Sequence, residues 1–356
     1  MELSIKQRIG LELERMLRKQ EIKEKKLRQL FWECTLRCNL NCRHCGSSCL
    51  PQSAFKDMPK EDFLKVIDSI LPHVDNHHTL IILTGGEPLL RKDIEEVGLE
   101  LYKREFPWSV VSNGMLMTEQ KLTGLLRSGL RAATISLDGN EADHNYMRQN
   151  KESFQRAFNA IKLLGRTTDI NWDVATCVTP NSLKGLAELR DRLWEVGVRN
   201  WRVFTAFPNG RAGDNPDIQL NSNEFHELMH FIAENRRNGY HISYSCEGFL
   251  GRYEGIVRDH LFSCQAGISV GAILNDGTIS SCPGIRDKYA QGNIYKDDFW
   301  DVWTNGYQPH RNREWARTGK CADCRFFRFC GGSGMHLRNG DGSLMLCHMD
   351  RIAGGK

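Results

Sequence analysis

The segment CTLRCNLNCRHCGSSC, residues 34–49, gathers five thiols into sixteen positions. Within it Cys38, Cys42 and Cys45 are spaced C-x3-C-x2-C. Three thiolates on one short loop can hold three irons of a cubane 4Fe–4S cluster and leave the fourth iron open to a ligand that is not protein. An open iron is a reactive site, whereas pure electron carriers close all four positions. Zinc is the weaker reading, because no fourth ligand stands nearby at a matching spacing. Cys34 and Cys49 flank the motif outside its spacing and read as small buried residues. A second group, Cys321, Cys324, Cys330 and Cys347, lies near the other end, with Cys177, Cys246, Cys264 and Cys282 scattered between. The total of thirteen is odd and no stretch reads as an export signal. Metal or cluster ligation in a reducing cytoplasm is therefore expected rather than a disulfide framework.

Such chemistry has to be held by a rigid frame. Apolar runs at 31–34, 79–88, 108–114, 132–139, 171–178 and 200–207 read as strands, and amphipathic stretches near 59–71, 91–104, 118–129, 151–166 and 182–197 read as helices between them. The alternation predicts an α/β fold of βαβ units around a parallel sheet. Six units fit a partial (β/α)6 barrel better than a closed eightfold one. The carboxyl ends of parallel strands carry the chemistry in such folds, and here the candidates end in the cysteine loop, GGEP, SNG or SLDG. Beyond residue 208, PNGRAGDNPD reads as a loop or linker, followed by a helix near 221–237 and a hairpin at 268–281 centred on NDG. Residues 1–30 read as one helix, with Ile5, Ile9, Leu13 and Leu17 four apart and nine Lys or Arg against five Glu. That helix is expected to pack on the outside of the domain rather than to seek a membrane or a partner.

The cysteine loop, with GGEP at the end of the next strand, resembles the radical SAM superfamily over roughly residues 31–210. The resemblance implies that S-adenosylmethionine chelates the open iron of a 4Fe–4S cluster and is cleaved by one electron to a 5′-deoxyadenosyl radical, which takes a hydrogen atom from the substrate. It implies that Gly85, Gly86, Glu87 and Pro88 contact the methionine amino group, glycine letting the backbone approach the ligand. Ser112, Asn113 and Ser136 stand where ribose and carboxylate contacts are expected, and Arg148 matches the arginine that pairs the methionine carboxylate, a task suited to a guanidinium fork.

The tail, from about residue 240 to 350, resembles the SPASM extension of peptide-modifying radical SAM enzymes through Cys264, Gly277, Cys282, Cys321, Cys324, Cys330 and Cys347. Gly334 stands where that pattern has a further cysteine. By resemblance Cys321, Cys324, Cys330 and Cys347 complete one auxiliary 4Fe–4S cluster, and Cys264 and Cys282 belong to a second, with Cys246 or His336 as further donors. A single twitch-type cluster on Cys264, Cys282, Cys321 and Cys324 is the alternative, and a structural zinc knuckle at 321–347 is another. His348 reads as a hydrogen-bonding neighbour. Pro283 follows Cys282 where sulfatase-maturing members carry an aspartate base, which argues against formylglycine formation. The whole chain is most similar to a radical SAM group associated with small lipoproteins.

At 356 residues with a net charge of +4, the chain is long enough for a large core and too weakly charged to make nucleic acid a main partner. No stretch is long and apolar enough to span a bilayer. The expected organisation is an amphipathic helix over 1–30, a radical SAM core over 31–220, and a helix with a SPASM-like auxiliary-cluster domain over 221–356. The expected activity is modification of a peptide or protein side chain, with an external electron donor such as a flavodoxin or ferredoxin. The alternatives are oxidation or rearrangement of a small cofactor precursor such as a porphyrin, and an electron-transfer or scaffold protein.

Overall fold

The computed structural model describes residues 2–53, 55–245, 248–286 and 289–354. Cys246, named above as an extra donor, lies outside them. The chain runs α1 (Ile5–Glu24), β1 (Gln29–Thr35), α2 (Lys60–Ile70), β2 (Leu80–Gly85), α3 (Ile94–Lys103), β3 (Trp108–Ser112), α4 (Glu119–Arg127) and β4 (Leu130–Ser136). It continues through α5 (Glu141–Arg148), α6 (Ser153–Gly165), β5 (Asn171–Val178), α7 (Pro180–Leu183), α8 (Leu186–Glu195), β6 (Trp201–Thr205), α9 (Ser222–Arg237) and β7 (Ile242–Tyr244). The tail holds β8 (Val270–Ile273), β9 (Thr278–Ser280), β10 (Gly292–Asn293), α10 (Phe299–Asn305), α11 (Gln308–Arg311), α12 (Phe327–Cys330) and α13 (His348–Gly354).

All the strands join one sheet in the order β10-β9-β8-β1-β2-β3-β4-β5-β6-β7. From β1 to β7 each strand lies parallel beside the next in sequence. The helices cover the sheet through apolar stripes: α2 buries Phe63, Leu64, Ile67 and Ile70, and Phe63 stacks on Trp32 of β1 at 4.2 Å. Strands covered in this way read as nearly continuous apolar runs, which is why IILT and WSVV are legible as strands.

The six expected βα units form, and a short further strand, β7, three residues long and without visible alternation, follows α9. Three expectations are corrected. The predicted hairpin forms, but β8 pairs parallel with the outer edge of β1, so the tail extends the barrel sheet. Helix α5 was not expected, because EADHNYMR shows no apolar period; it buries His144, Met147 and Arg148. The first helix stops at Glu24, with Lys25 in the left-handed region at φ 53°, and it packs through Leu11 while Ile5, Ile9, Leu13 and Leu17 face outward.

Candidate active site

The site begins where β1 breaks register with β2. Glu33 pairs with Thr84 and Thr35 with Gly85, so Cys34 is an extra residue and the strand bends into the cysteine loop. Gly85 and Gly86 make room for that bend. A Cβ on Gly85 would stand 2.2 Å from the Thr35 carbonyl oxygen, and one on Gly86 would stand 2.2 Å from that of Arg37. With no side chain in the way, Gly86 N–H donates to Thr35 at 2.8 Å and Glu87 N–H donates to Arg37 at 2.9 Å.

Arg211, in the stretch expected to be a linker, staples the loop from outside. Its Nε donates to the Cys42 carbonyl at 2.7 Å, its Nη1 to that of Cys49 at 2.9 Å, and its backbone N–H to that of Cys45 at 3.0 Å. Nothing in the local sequence distinguishes this arginine from a solvated one. Hydrogen bonds to charged groups contribute about 1.5–3 kcal/mol. Arg211→Ala is therefore expected to speed iron release from the loop to a chelator by tenfold or more. Iron lost from the tail is subtracted using a variant lacking the loop thiols; an unchanged rate would mean that the loop keeps its shape without Arg211.

Cys38, Cys42, Cys45 and Cys49 line a cavity of about 410 Å³ together with Gly85, Gly86, Ser112, Asn113, Ser136 and Arg148. Glu87 and Pro88 are buried behind this wall. The Glu87 carboxylate accepts from Leu89 N–H at 3.1 Å, the Ser112 hydroxyl at 2.9 Å and Asn113 N–H at 2.8 Å, so its side chain organises the end of β3. Asn113 Nδ2 donates to Asn39 at 2.8 Å and reaches Cys38 Sγ at 3.9 Å. Burial pushes the Glu87 carboxyl up to about 7, against these three donors. Between its ordinary value of 4.5 and about 7 the native chain holds a proton that the unfolded chain has lost. This group's contribution to stability thus falls as pH rises through that window and levels off above it. Glu87→Gln is expected to remove that slope from the unfolding midpoint, followed by thermal melts across the same range.

Arg148 is anchored twice. Its Nε donates to Asp138 Oδ2 at 2.6 Å, and its Nη1 faces Cys42 Sγ at 3.7 Å. Asp138 is fully buried; its other oxygen accepts from Cys177 N–H at 3.1 Å, and His44 Nε2 lies 3.5 Å from Oδ2. Asp138, within SLDG, is a site residue that local sequence does not single out. His44 and Cys49 were missed as site residues altogether. Burial holds the His44 imidazole down at about 4, hence neutral. The Cys45 thiol is lowered chiefly by the hydrogen bond from Cys49, whose own proton is correspondingly held. Glu33, buried at the end of β1, is the carboxylate among the described residues lining the cavity; it accepts from Asn275 N–H at 3.1 Å and pairs with Arg286.

Five of the tail thiols fall in two apolar clusters, and Cys347 and Cys321 stand close enough to Cys330 to act on its charge. Cys264, Cys282 and Cys330 pack with Phe249, Ile285 and Met335, while Cys321 and Cys324 pack around Ala316 and Phe327. Tail sulfurs accept hydrogen bonds, Cys330 from Ser333 N–H at 3.1 Å, Cys321 from Arg338 Nη2 at 3.4 Å and Cys347 from the backbone of Met349 and Asp350. Burial first, and then the negative charges of Cys347 and Cys321, push the Cys330 thiol up to about 12. Pro283 and Gly284, just after Cys282, reach the wall of the barrel cavity. The His336 ring lies 4.8 Å from that of Phe207 on that wall, tilted by 60°, and His348 is bonded to the Tyr244 hydroxyl at 3.0 Å.

These donors fit the groups in question. Among the described residues no three His, Cys, Asp or Glu side chains converge tightly enough for one metal ion; a cubane takes its thiolates on separate corners. The loop sulfurs carry nearby N–H donors, Asn113 Nδ2 at Cys38, Arg148 Nη1 at Cys42 and the Ser47 and Cys49 backbone at Cys45, the kind of contact that tunes a cluster. The buried His44 Nδ1, on the same wall, has no partner among the described residues.

The comparisons agree with this geometry. Residues 32–193 match the model of the Radical SAM superfamily, and residues 264–325 match SPASM, an iron-sulfur cluster-binding domain. Together these segments make up more than half of the chain, which belongs to the radical SAM/SPASM enzymes. It is similar to the AdoMet-dependent heme synthase of Nitratidesulfovibrio vulgaris, 26% identical over 89% of each chain. It is also similar to the mycofactocin maturase MftC of Mycolicibacterium smegmatis, 28% identical over 86% of this chain and 77% of that one. Its fold is that of anSMEcpe solved with bound AdoMet (TM-score 0.70, 20% identity, 91% and 94% of the two chains). Streptococcus suis SuiB bound to S-adenosylmethionine is a further neighbour (TM-score 0.68, 15% identity, 88% and 74%). The enzyme uses S-adenosylmethionine and a 4Fe–4S cluster in its radical SAM domain and auxiliary iron–sulfur binding in its SPASM domain. Among the described residues no helix is long and apolar enough to cross a membrane.

Proposed function

We propose that this enzyme modifies a side chain of a peptide or small protein in the cytoplasm. The observation that carries the reading is the cavity. It measures about 410 Å³, is walled by the cysteine loop on one side and by Pro283 and Gly284 on the other, and has to receive S-adenosylmethionine as well as the reacting carbon. What is left suits one side chain entering from the mouth better than a whole macrocycle. When bound, the cluster and S-adenosylmethionine supply a 5′-deoxyadenosyl radical that takes a hydrogen atom from the substrate.

In this reading Cys38, Cys42 and Cys45 hold the reactive cluster. Gly85 and Gly86 bring backbone to the methionine end, with Glu87 and Pro88 fixing the turn behind. Ser112, Asn113 and Ser136 line the nucleoside side, and Arg148 pairs the methionine carboxylate. Cys264, Cys282, Cys321, Cys324, Cys330 and Cys347 hold auxiliary cluster iron in a domain spanning about 221–356, after a core spanning about 31–220. An external flavodoxin or ferredoxin supplies the electron. The name of MftC, a maturase, supports a peptide-directed task.

A second reading, oxidation of a tetrapyrrole side chain, is favoured by the heme synthase relatives that match most of the chain. Mass spectrometry separates the two. The reconstituted enzyme is supplied with S-adenosylmethionine and reductant, then with a candidate small protein or an iron porphyrin carboxylate. A mass change in the polypeptide that requires Cys38, Cys42 and Cys45 supports the first reading; a change in the porphyrin alone overturns it.

A further inference from the structure

The first helix packs on the tail through Leu11 and not through its row of apolar residues spaced four apart. Its apolar row faces solvent, with Ile5 78%, Ile9 58%, Leu13 56%, Met16 61% and Leu17 61% exposed. Five large apolar side chains in one stripe over more than three turns form the kind of patch that marks an interaction surface. The helix cannot roll to hide them, because its opposite face is locked onto the tail. Gln7 Nε2 donates to the Arg252 carbonyl at 2.8 Å and to that of Glu254 at 3.1 Å. Glu12 pairs with Arg328, and Leu11 is buried beside Phe249 and Phe262. Gly10 lies so close to Leu261 that an added Cβ would stand 3.1 Å from its Cδ1.

Charge identifies what covers the stripe. At 3.6 residues per turn, Arg8 and Lys19 run along one edge, Lys6 along the other, and Lys23 lies beyond the last apolar residue. All four are exposed. The exposed acid on the same helix, Glu24, already pairs with Lys26 at 3.1 Å. A second copy of the helix is a poor partner. Laid antiparallel it would set Lys6 and Arg8 against Lys19 and Lys23, and laid parallel it would set each cation near its own copy. A flat surface with apolar depth and anionic headgroups meets the stripe and both edges at once, while the lysine and arginine stems extend to the headgroup level.

We propose that α1 docks the enzyme on an anionic lipid bilayer surface through Ile5, Ile9, Leu13, Met16 and Leu17, with Lys6, Arg8, Lys19 and Lys23 on the headgroups. The proposal holds whichever substrate the cavity takes. The test is flotation of the anaerobically prepared holoenzyme with vesicles of phosphatidylcholine alone and of phosphatidylcholine with phosphatidylserine. Binding is expected to the second kind only and to weaken as salt is raised. Lys19→Ala should lower the partition about fivefold, the contribution of one basic residue near such a surface. Ile9→Ser with Leu13→Ser should abolish it. Because these side chains are exposed, S-adenosylmethionine cleavage by the double variant should stay at the parent level, which shows that it is folded. Failure of the parent enzyme to float with phosphatidylserine vesicles would overturn the proposal. So would a stripe variant that floats like the parent, or one whose only change is loss of a dimer in sedimentation velocity.

Discussion

Replacing Cys38, Cys42 and Cys45 together by alanine is expected to abolish 5′-deoxyadenosine formation under anaerobic reducing conditions while the tail keeps its iron. The three thiols belong to one loop and one cavity wall, whereas five of the tail thiols pack in apolar clusters of their own. Burial pushes the Cys38 thiol up to about 12, so it stays protonated until a metal displaces the proton. Alanine removes that binding outright. The measurement is product formation by chromatography together with iron and zinc per chain. Residual cleavage at the parent rate would refute the assignment of the loop. The same sample counts the auxiliary centres, since about four irons per chain means one cubane in the tail and about eight means two. Zinc in place of iron, after preparation with iron and sulfide, would make the tail a structural cap.

The parts of the site that were legible in the sequence share one property: their chemistry is set by local spacing. The C-x3-C-x2-C loop and the GGEP turn are each a few residues long, and the glycines follow from a close approach that any sequence at that bend must allow. What could not be seen depends on distant partners. Arg211 acts on Cys42 and Cys49 across more than 160 positions, and its role arises only because the stretch beyond β6 folds back on the loop. Asp138 does not stand out in SLDG, because local sequence gives no sign of Arg148, His44 and Cys177 N–H meeting at its carboxylate. The same limit explains α1. A period of four identifies an apolar row, yet which row is buried was decided by Leu11, Gly10 and the surface of the tail. Strand β8 is a further instance: NDG announces a hairpin, but only pairing with β1 reveals that the barrel sheet continues into the tail.

The second large effect concerns Arg148, where a simple truncation would mislead. Burial alone would raise the Asp138 carboxyl, but the Arg148 charge, and after it His44 and His144, hold it well below the usual carboxylate range. Both imidazoles are themselves held low by burial, His44 at about 4 and His144 at about 3, so near neutrality Arg148 carries the compensation. Arg148→Ala would strand a fully buried charge, and breaking such a pair costs about 3–5 kcal/mol. Weak cofactor binding by that variant could then reflect a loosened strand end. Arg148→Ala with Asp138→Asn removes both charges and leaves an amide that can still accept from Cys177 N–H. Unfolding resistance is expected to recover in the double variant. The acid sensitivity of the parent should also diminish, because a carboxyl held low contributes stability above its ordinary pKa and loses it as pH falls. S-adenosylmethionine affinity, measured by calorimetry on cluster-loaded enzyme, should remain down by roughly ten- to a hundredfold, the effect of one charge-assisted contact. A double variant that binds the cofactor like the parent would reduce Arg148 to a partner of Asp138 and move the carboxylate contact elsewhere on the wall. Arg148→Lys adds a second reading of the same question, since an ammonium can answer Asp138 but cannot also span to Cys42 and a carboxylate as a planar fork does.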